Sequence, residues 1–150
     1  MMIVVIQRVS SSSVKVDDKI VGEIGVGLNI LLGVKKGDTS KDIEKLVNKI
    51  VNLRIFSDEN GKMNLSLLDV QGEALIISQF TLAGNIKKGR RPSFDDSEKL
   101  DIANALYEEF VKEVEKVGVH TQTGEFGAMM DVNIQNDGPV TFIINSEELN

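Results

Sequence analysis

The chain has 150 residues, 41% of them hydrophobic and 27% charged, with a formal net charge of −6, the proportions of one ordinary globular domain. It has no cysteine and a single histidine, His120, which excludes disulfides and a thiolate nucleophile and leaves no ligand set for a Cys- or His-built metal centre. The acidic balance argues against a general nucleic-acid binder. The N-terminal run lacks the basic lead of a secretory signal, and no apolar run approaches the roughly 18 residues of a bilayer span, so a cytoplasmic protein without membrane contact is expected.

In chain order, "MIVVIQRV" (residues 2–9) predicts a strand, and "SVKVDDKIVGEIG" (13–25) alternates about Asp17–Asp18 as a hairpin does. "GLNILLGV" (27–34) is apolar nearly throughout, as a strand buried on both faces would be. "DTSKDIEKLVNKIVN" (38–52) is helical: Ile43, Leu46, Val47, Ile50 and Val51 fall on one face, and Thr39 with Asp42 forms a capping-box pattern. "LRIFSDENGKMNLSL" (53–67) reads as two strands around Asn60–Gly61, and "EALIISQFTLA" (73–83) as another buried strand. After the polar loop "GNIKKGRRPSF" (84–94), the stretch "DDSEKLDIANALYEEFVKEVEKVG" (95–118) predicts the longest helix. Its apolar stripe is Leu100, Ala103, Tyr107, Phe110, Val114 and Val117, and Gly118 closes it. "VHTQTGEF", "GAMMDVNIQ" and "TFIIN" complete the β content. "NDGPVT" (136–141) between the last two reads as a hairpin loop, because proline ends or edges a strand ladder.

These elements predict one α/β (α+β) domain over residues 1–150. Its sheet is mostly antiparallel and barrel-like, with two helices packed outside. Two helices cannot also cover Val132, Ile134 and Phe142, so a homodimer through the C-terminal strands is expected.

The usual catalytic signatures are missing: there is no GxSxG elbow, P-loop or GxGxxG. A Ser-His-Asp triad would have to use His120, and a lone histidine is more often structural. Two segments stand out. In "SQFTLA", Ser78, Gln79 and Thr81 set three polar side chains at the end of an apolar strand, where each needs a partner. That is either a strand-end cap or a binding site. In "KKGRRPSF", Lys87, Lys88, Arg90 and Arg91 place four cations within five residues. They form either a solvated loop or a contact for backbone phosphates, which Lys35 and Lys36 could extend. In "NDGPVT", Gly138 permits dihedrals closed to other residues, and a Gly-Pro unit can aim two carbonyls the same way, as acceptors for an ammonium group.

"SQFTLA", "KKGRRPSF", "TGEFGAMM" and "NDGPVT", in this order along the whole chain, resemble the D-aminoacyl-tRNA deacylase family, formerly called D-tyrosyl-tRNA deacylase. The resemblance implies a homodimeric, barrel-like hydrolase. It would cleave the ester between a D-amino acid and the 3′ end of tRNA, and glycine mischarged on tRNA for alanine. No metal or organic cofactor is implied. It further implies a cis Gly138–Pro139 unit that reaches into the partner's pocket. There its carbonyls hold the substrate's α-amino group, and the rigid backbone obstructs an L side chain. Ser78, Gln79, Phe80 and Thr81 would line the pocket with Ala128 and Met130. Phe80 would lie near the terminal adenine and Ser78–Gln79 near the ester.

Two mechanisms follow. Thr81 could attack the carbonyl and form an acyl-enzyme. Alternatively, the protein orients the ester while the 2′-hydroxyl of the terminal adenosine helps activate water. An RNA- or nucleotide-binding module without turnover, or a structural homodimer, would be the competing functions.

Overall fold

The alternation at the N-terminus runs well beyond its first eight residues. A single strand, β1 (Ile3–Val16), passes through the serine run Ser10–Ser13. The computed structural model describes all of residues 1–150. Asp17 and Asp18, at φ 49° and 63°, turn the chain into β2 (Lys19–Ile24). Two successive positive φ values give the hairpin turn whose twist matches its strands. β3 (Gly27–Gly33) then returns antiparallel to the first half of β1, while β2 pairs with the second half.

Helix α1 (Ser40–Asn52) forms as its pattern predicts. The Thr39 side chain and Asp42 close a capping box, and Ile43, Leu46, Val47, Ile50 and Val51 are all buried. A short hairpin, β4 (Phe56–Ser57) and β5 (Met63–Leu65), leads to β6 (Glu73–Ser78). Helix α2 (Leu100–Lys116) then precedes β7 (Thr121–Thr123) and β8 (Asp131–Asn145).

The main sheet has the order β2-β1-β3-β6-β7, with β8 on the free side of β1. It is mixed, not mostly antiparallel: β3 pairs β6 in parallel, and β6 pairs β7 in parallel. The connections give the reason. Each of these pairs is joined through a helix, α1 or α2, which carries the chain back across the sheet before the next strand begins. The curled sheet brings its two ends together. A Cβ on Gly22 of β2 would lie 2.3 Å from the carbonyl oxygen of Thr123 in β7. Only glycine permits that approach.

Val4 and Ile6 of β1, Leu28, Ile30 and Leu32 of β3, and Ala74 and Ile76 of β6 join residues of both helices in the main core. A smaller cluster of Val9, Val14, Ile24, Leu75 and Ile77 fills the inside of the curl. Val132 and Ile134 pack partly against this inner cluster, so they are not the uncovered face that the sequence suggests. Phe142 and Ile143 of β8 remain 41% and 72% exposed, and the outer edge of β8 has no neighbouring strand.

Helix α2 starts five residues later than its pattern predicts. Ser97 instead forms a β-bridge with Lys35, and the Glu98 N–H donates to the Val34 carbonyl at 3.2 Å. The strand end thus claims backbone groups that a longer helix would need. Leu100 and Val117, at the two ends of the stripe, are exposed, and Tyr107, Phe110 and Val114 carry the packing. The Tyr107 hydroxyl donates to the Ile76 carbonyl at 2.6 Å. Tyr107→Phe is expected to lower stability by about 1 kcal/mol, read as a melting temperature lower by roughly 2–4 °C.

"NDGPVT" does not reverse the chain. β8 pairs with the same strand, β1, on both sides of it: Asn136 with Val9 and Thr141 with Gln7. The segment is a bulge in one long strand, with its extra residues opposite Arg8. Its Gly138–Pro139 peptide is cis, and Gly138 sits at φ 131°.

Candidate active site

β6 ends at Ser78, and the Gln79 N–H extends the parallel ladder by one bond to the Leu32 carbonyl at 2.8 Å. The chain then tightens into a 3₁₀ turn, Phe80–Ala83, rather than continuing as the strand expected through residue 83. The N–H groups of Phe80 and Thr81 come before the first bond of that turn, from the Leu82 N–H to the Gln79 carbonyl at 3.2 Å. A cleft of about 410 Å³ opens here, beside the carboxyl ends of β3 and β6 and the loop after β7. Ligand crevices commonly form at such ends of parallel strands.

Ten of its sixteen lining residues are hydrophobic, and Ser78, Gln79, Phe80 and Thr81 form one wall. The Gln79 amide donates to the Thr81 hydroxyl oxygen at 3.0 Å, which leaves the Thr81 proton free to point elsewhere. No side-chain base is bonded to Thr81. Phe80 is 53% exposed and meets Phe94 with ring centroids 5.1 Å apart, tilted by 59°. Ala128 and Met130 lie opposite, beside Met129, which is 92% exposed. The predicted wall residues thus meet in one place.

The sequence reading missed Ser97, Glu98, Leu100, Ala103 and Phe126, which line the same cleft. Ser97 and Glu98 fall in the stretch read as the start of α2, and nothing in their spacing distinguishes a cleft rim from a first helical turn. Glu98 is the only charged side chain in the lining. Behind Phe126 stands Tyr107, with centroids 5.9 Å apart. Burial pushes the Tyr107 hydroxyl up to about 12, so it stays neutral and donates its bond at physiological pH.

His120 is excluded from this centre. It lies 3.5 Å from the Glu73 carboxylate, at the opposite end of β6 from Ser78.

Gly138 and Pro139 do not line the cleft of their own chain. Val132, which does, precedes Gly138 by six residues of β8, or about 20 Å of extended chain. Both residues of the unit are exposed, yet the unit is held firmly from behind. The buried Arg8 side chain donates to the Asp137 carbonyl at 3.1 Å and to the Ile55 carbonyl at 2.8 Å, and its Nε lies 3.3 Å from the Asp137 carboxylate. The Asn136 side chain accepts from the Val140 N–H at 3.1 Å and donates to Thr141.

Lys87, Lys88, Arg90 and Arg91 are all exposed in one loop. Paired backbone bonds close its stem, from the Asn85 N–H to the Ser93 carbonyl at 2.7 Å and from the Ser93 N–H to the Asn85 carbonyl at 2.9 Å. Lys35 and Lys36 follow β3, beside residues 96–98 at the cleft rim.

No group of three or more His, Cys, Asp or Glu side chains is placed to hold a metal ion, and no helix is long and apolar enough to cross a membrane.

The chain is similar to known proteins over nearly its whole length. The family model described as D-Tyr-tRNA(Tyr) deacylase matches residues 5–145. The D-aminoacyl-tRNA deacylase of Persephonella marina is 64% identical over 99% of this chain and 100% of its own length. That of Aquifex aeolicus is 61% identical over 97% and 98%. A solved structure titled c-Myc DNA Unwinding Element Binding Protein superposes with a TM-score of 0.91 at 41% identity, over 95% of this chain and 97% of that one. A probable eukaryotic D-amino acid tRNA deacylase shares the fold, with a TM-score of 0.82 at 21% identity over 96% and 99%.

Proposed function

The chain belongs to the D-Tyr-tRNA(Tyr) deacylase family, and from that premise we propose how this D-aminoacyl-tRNA hydrolase selects and cleaves its ester. The ester lies in the cleft against Ser78, Gln79 and Thr81, with the terminal adenine against Phe80. Stacking on an aromatic side chain is the usual way an unpaired RNA base is held. Gly138 and Pro139 of a second copy enter the cleft and hold the α-amino group with their carbonyls. An L side chain would then run into that backbone, whereas a D side chain points away. Selection therefore acts by exclusion, and glycine on tRNA for alanine, having no side chain, passes.

One observation carries the two-copy reading. Gly138 and Pro139 are exposed and braced by Arg8, yet lie about 20 Å of strand from their own chain's cleft. A unit held this firmly and serving no site of its own suits the site of a partner. The unpaired edge of β8, with Phe142 and Ile143 exposed, offers the matching surface for a homodimer. The same reading places the protein in the cytoplasm, with charged tRNA.

An aminoacyl ester is already activated, so the cleft needs no strong nucleophile. Good positioning supplies roughly 7–11 kcal/mol. An oxyanion donor, here the N–H of Phe80 or Thr81, adds about 3–4 kcal/mol. With no base bonded to Thr81, the RNA-assisted route is favoured: the 2′-hydroxyl of the terminal adenosine helps activate water while Gln79 and Thr81 orient the ester. Thr81→Ala is therefore expected to keep deacylation within about tenfold of wild type, since one orienting hydrogen bond is worth about 0.5–1.5 kcal/mol. Near-total loss, together with an acyl-Thr81 species trapped in wild type, would establish the covalent route instead.

Lys87, Lys88, Arg90 and Arg91 meet the phosphates of the acceptor end. Replacing all four by glutamine should raise KM and lower the slope of log Kd against log salt by up to about 3. Preference for the D-ester should stay unchanged, since none of the four lines the cleft. A full salt slope in the variant would move the RNA contact elsewhere. The function as a whole is tested by whether the protein removes D-tyrosine, and spares L-tyrosine, on the same tRNA.

A further inference from the structure

Phe94 belongs neither to the cleft lining nor to the four cations, yet it touches the elements that carry both. It directly follows Ser93, whose backbone closes the stem of the cationic loop. Its ring lies 5.1 Å from that of Phe80, tilted by 59°. A methyl group at Gly84 would meet the Phe94 ring at 3.0 Å, so the ring packs on the 3₁₀ turn itself as well as on Phe80. Both rings are part-exposed, and tilted aromatic pairs of this kind add directional attraction beyond their buried area. Phe80 sits in a four-residue turn at the mouth of an open cleft, and Phe94 is its one aromatic partner.

We infer that Phe94 is a positioning residue: it fixes the Phe80 ring for the terminal base and ties the cationic loop to the cleft. This inference rests on the reading of Phe80 as the base platform. Phosphates gripped by Lys87, Lys88, Arg90 and Arg91 are thereby held in register with a base seated on Phe80, because the loop stem and the platform share one side-chain contact. Phe94 touches no reacting atom. Its removal should weaken binding through Phe80 and leave the chemical step largely alone.

The test is a double-substitution cycle on two substrates: D-tyrosyl-tRNA, and the D-tyrosyl ester of adenosine, which has no phosphate. Phe80→Ala should raise KM on both by roughly 5- to 150-fold, the range for loss of one base–aromatic stack. Phe94→Ala should raise KM on both by about 2- to 12-fold, with kcat changed less than KM. Phe94→Tyr, which keeps the ring, should restore wild-type KM. On the adenosine ester, where no phosphate is held, the Phe80→Ala, Phe94→Ala double variant should match Phe80→Ala alone, because there Phe94 acts only through that ring. If the two KM effects multiply on the adenosine ester, or Phe94→Tyr fails to restore KM in a chain that melts like wild type, the positioning role is overturned while the platform stands. If Phe80→Ala leaves KM unchanged on both substrates, the platform itself is wrong and the role of Phe94 falls with it.

Discussion

Gly138→Ala is expected to lower kcat/KM on D-tyrosyl-tRNA by about a hundredfold or more while the chain stays folded. A Cβ at this position would lie 2.7 Å from Val140 Cγ2 and 3.1 Å from the Arg8 guanidinium. The residue also holds φ 131°, which L residues rarely adopt. The strain, about 1–3 kcal/mol, is small against the roughly 5–15 kcal/mol that holds a domain together. It is relieved by moving the bulge that Arg8 and Asn136 brace, and with it the Gly138 and Pro139 carbonyls. A displacement near 1 Å at a site that works by positioning costs about a hundredfold. The two-copy arrangement adds a distinguishing result. Mixing Gly138→Ala chains with Phe80→Ala chains should recover activity, because a mixed dimer has one intact cleft facing one intact Gly138. Failure of that mixture to recover, with both variants dimeric, would place Gly138 in its own chain's site.

Phe110→Ala should have the opposite profile, a large loss of stability with chemistry preserved. Phe110 is fully buried on α2, at the centre of the cluster that joins both helices to β1, β3 and β6. It is among the largest of the fully buried side chains. Its truncation removes apolar burial and leaves a cavity in a close-packed region, together roughly 3–5 kcal/mol. The melting temperature should fall by roughly 6–20 °C. Phe110→Leu, which keeps most of the volume, should cost less than about 1.5 kcal/mol. Phe110 does not line the cleft, so activity per folded molecule at 25 °C should stay close to wild type. A stable Phe110→Ala chain without activity would mean that the cleft depends on α2 more closely than its lining suggests.

The helices and strands were legible where side-chain period and end chemistry agree. Thr39 and Asp42 mark the start of α1, and five apolar residues mark its buried face. The same rule misled at α2, because Ser97 and Glu98 suit a first helical turn as well as they suit the Ser97 bridge to Lys35 and the Glu98 bond to Val34 that they form. Strand direction was the larger miss. "GLNILLGV" and the first six residues of "EALIISQFTLA" are the buried strands expected, the end of the latter being the 3₁₀ turn, but an apolar run says nothing about direction. The information lay in the helices between them, since a helical crossover sets parallel neighbours. "NDGPVT" carries turn chemistry whether the chain reverses or only bulges. The difference lies in β1, fourteen residues long and able to pair on both sides of the bulge.

In the site, Ser78, Gln79 and Thr81 were legible as candidates because polar groups at the end of an apolar strand need an explanation, and Phe80, Ala128 and Met130 entered with the family resemblance. Phe126 and Leu100 were not. An apolar residue that lines a cleft and one that fills a core have the same sequence pattern, and only the closure of the curled sheet separates them. The buttress was illegible for a related reason. Arg8 lies 130 residues before Gly138, and only the pairing of β1 with β8 brings them together.

The central claim is that this cleft hydrolyses D-aminoacyl esters of tRNA and rejects L esters through the Gly138–Pro139 unit. The measurement that tests it most directly is paired deacylation of one tRNA, charged with D-tyrosine in one sample and L-tyrosine in the other, with the same amount of protein in each. Rapid loss of the D-ester beside an L-ester that decays no faster than in buffer is the predicted result. Equal loss of both would keep the hydrolase and remove the gate, and loss of neither, with the tRNA still bound, would contradict the account.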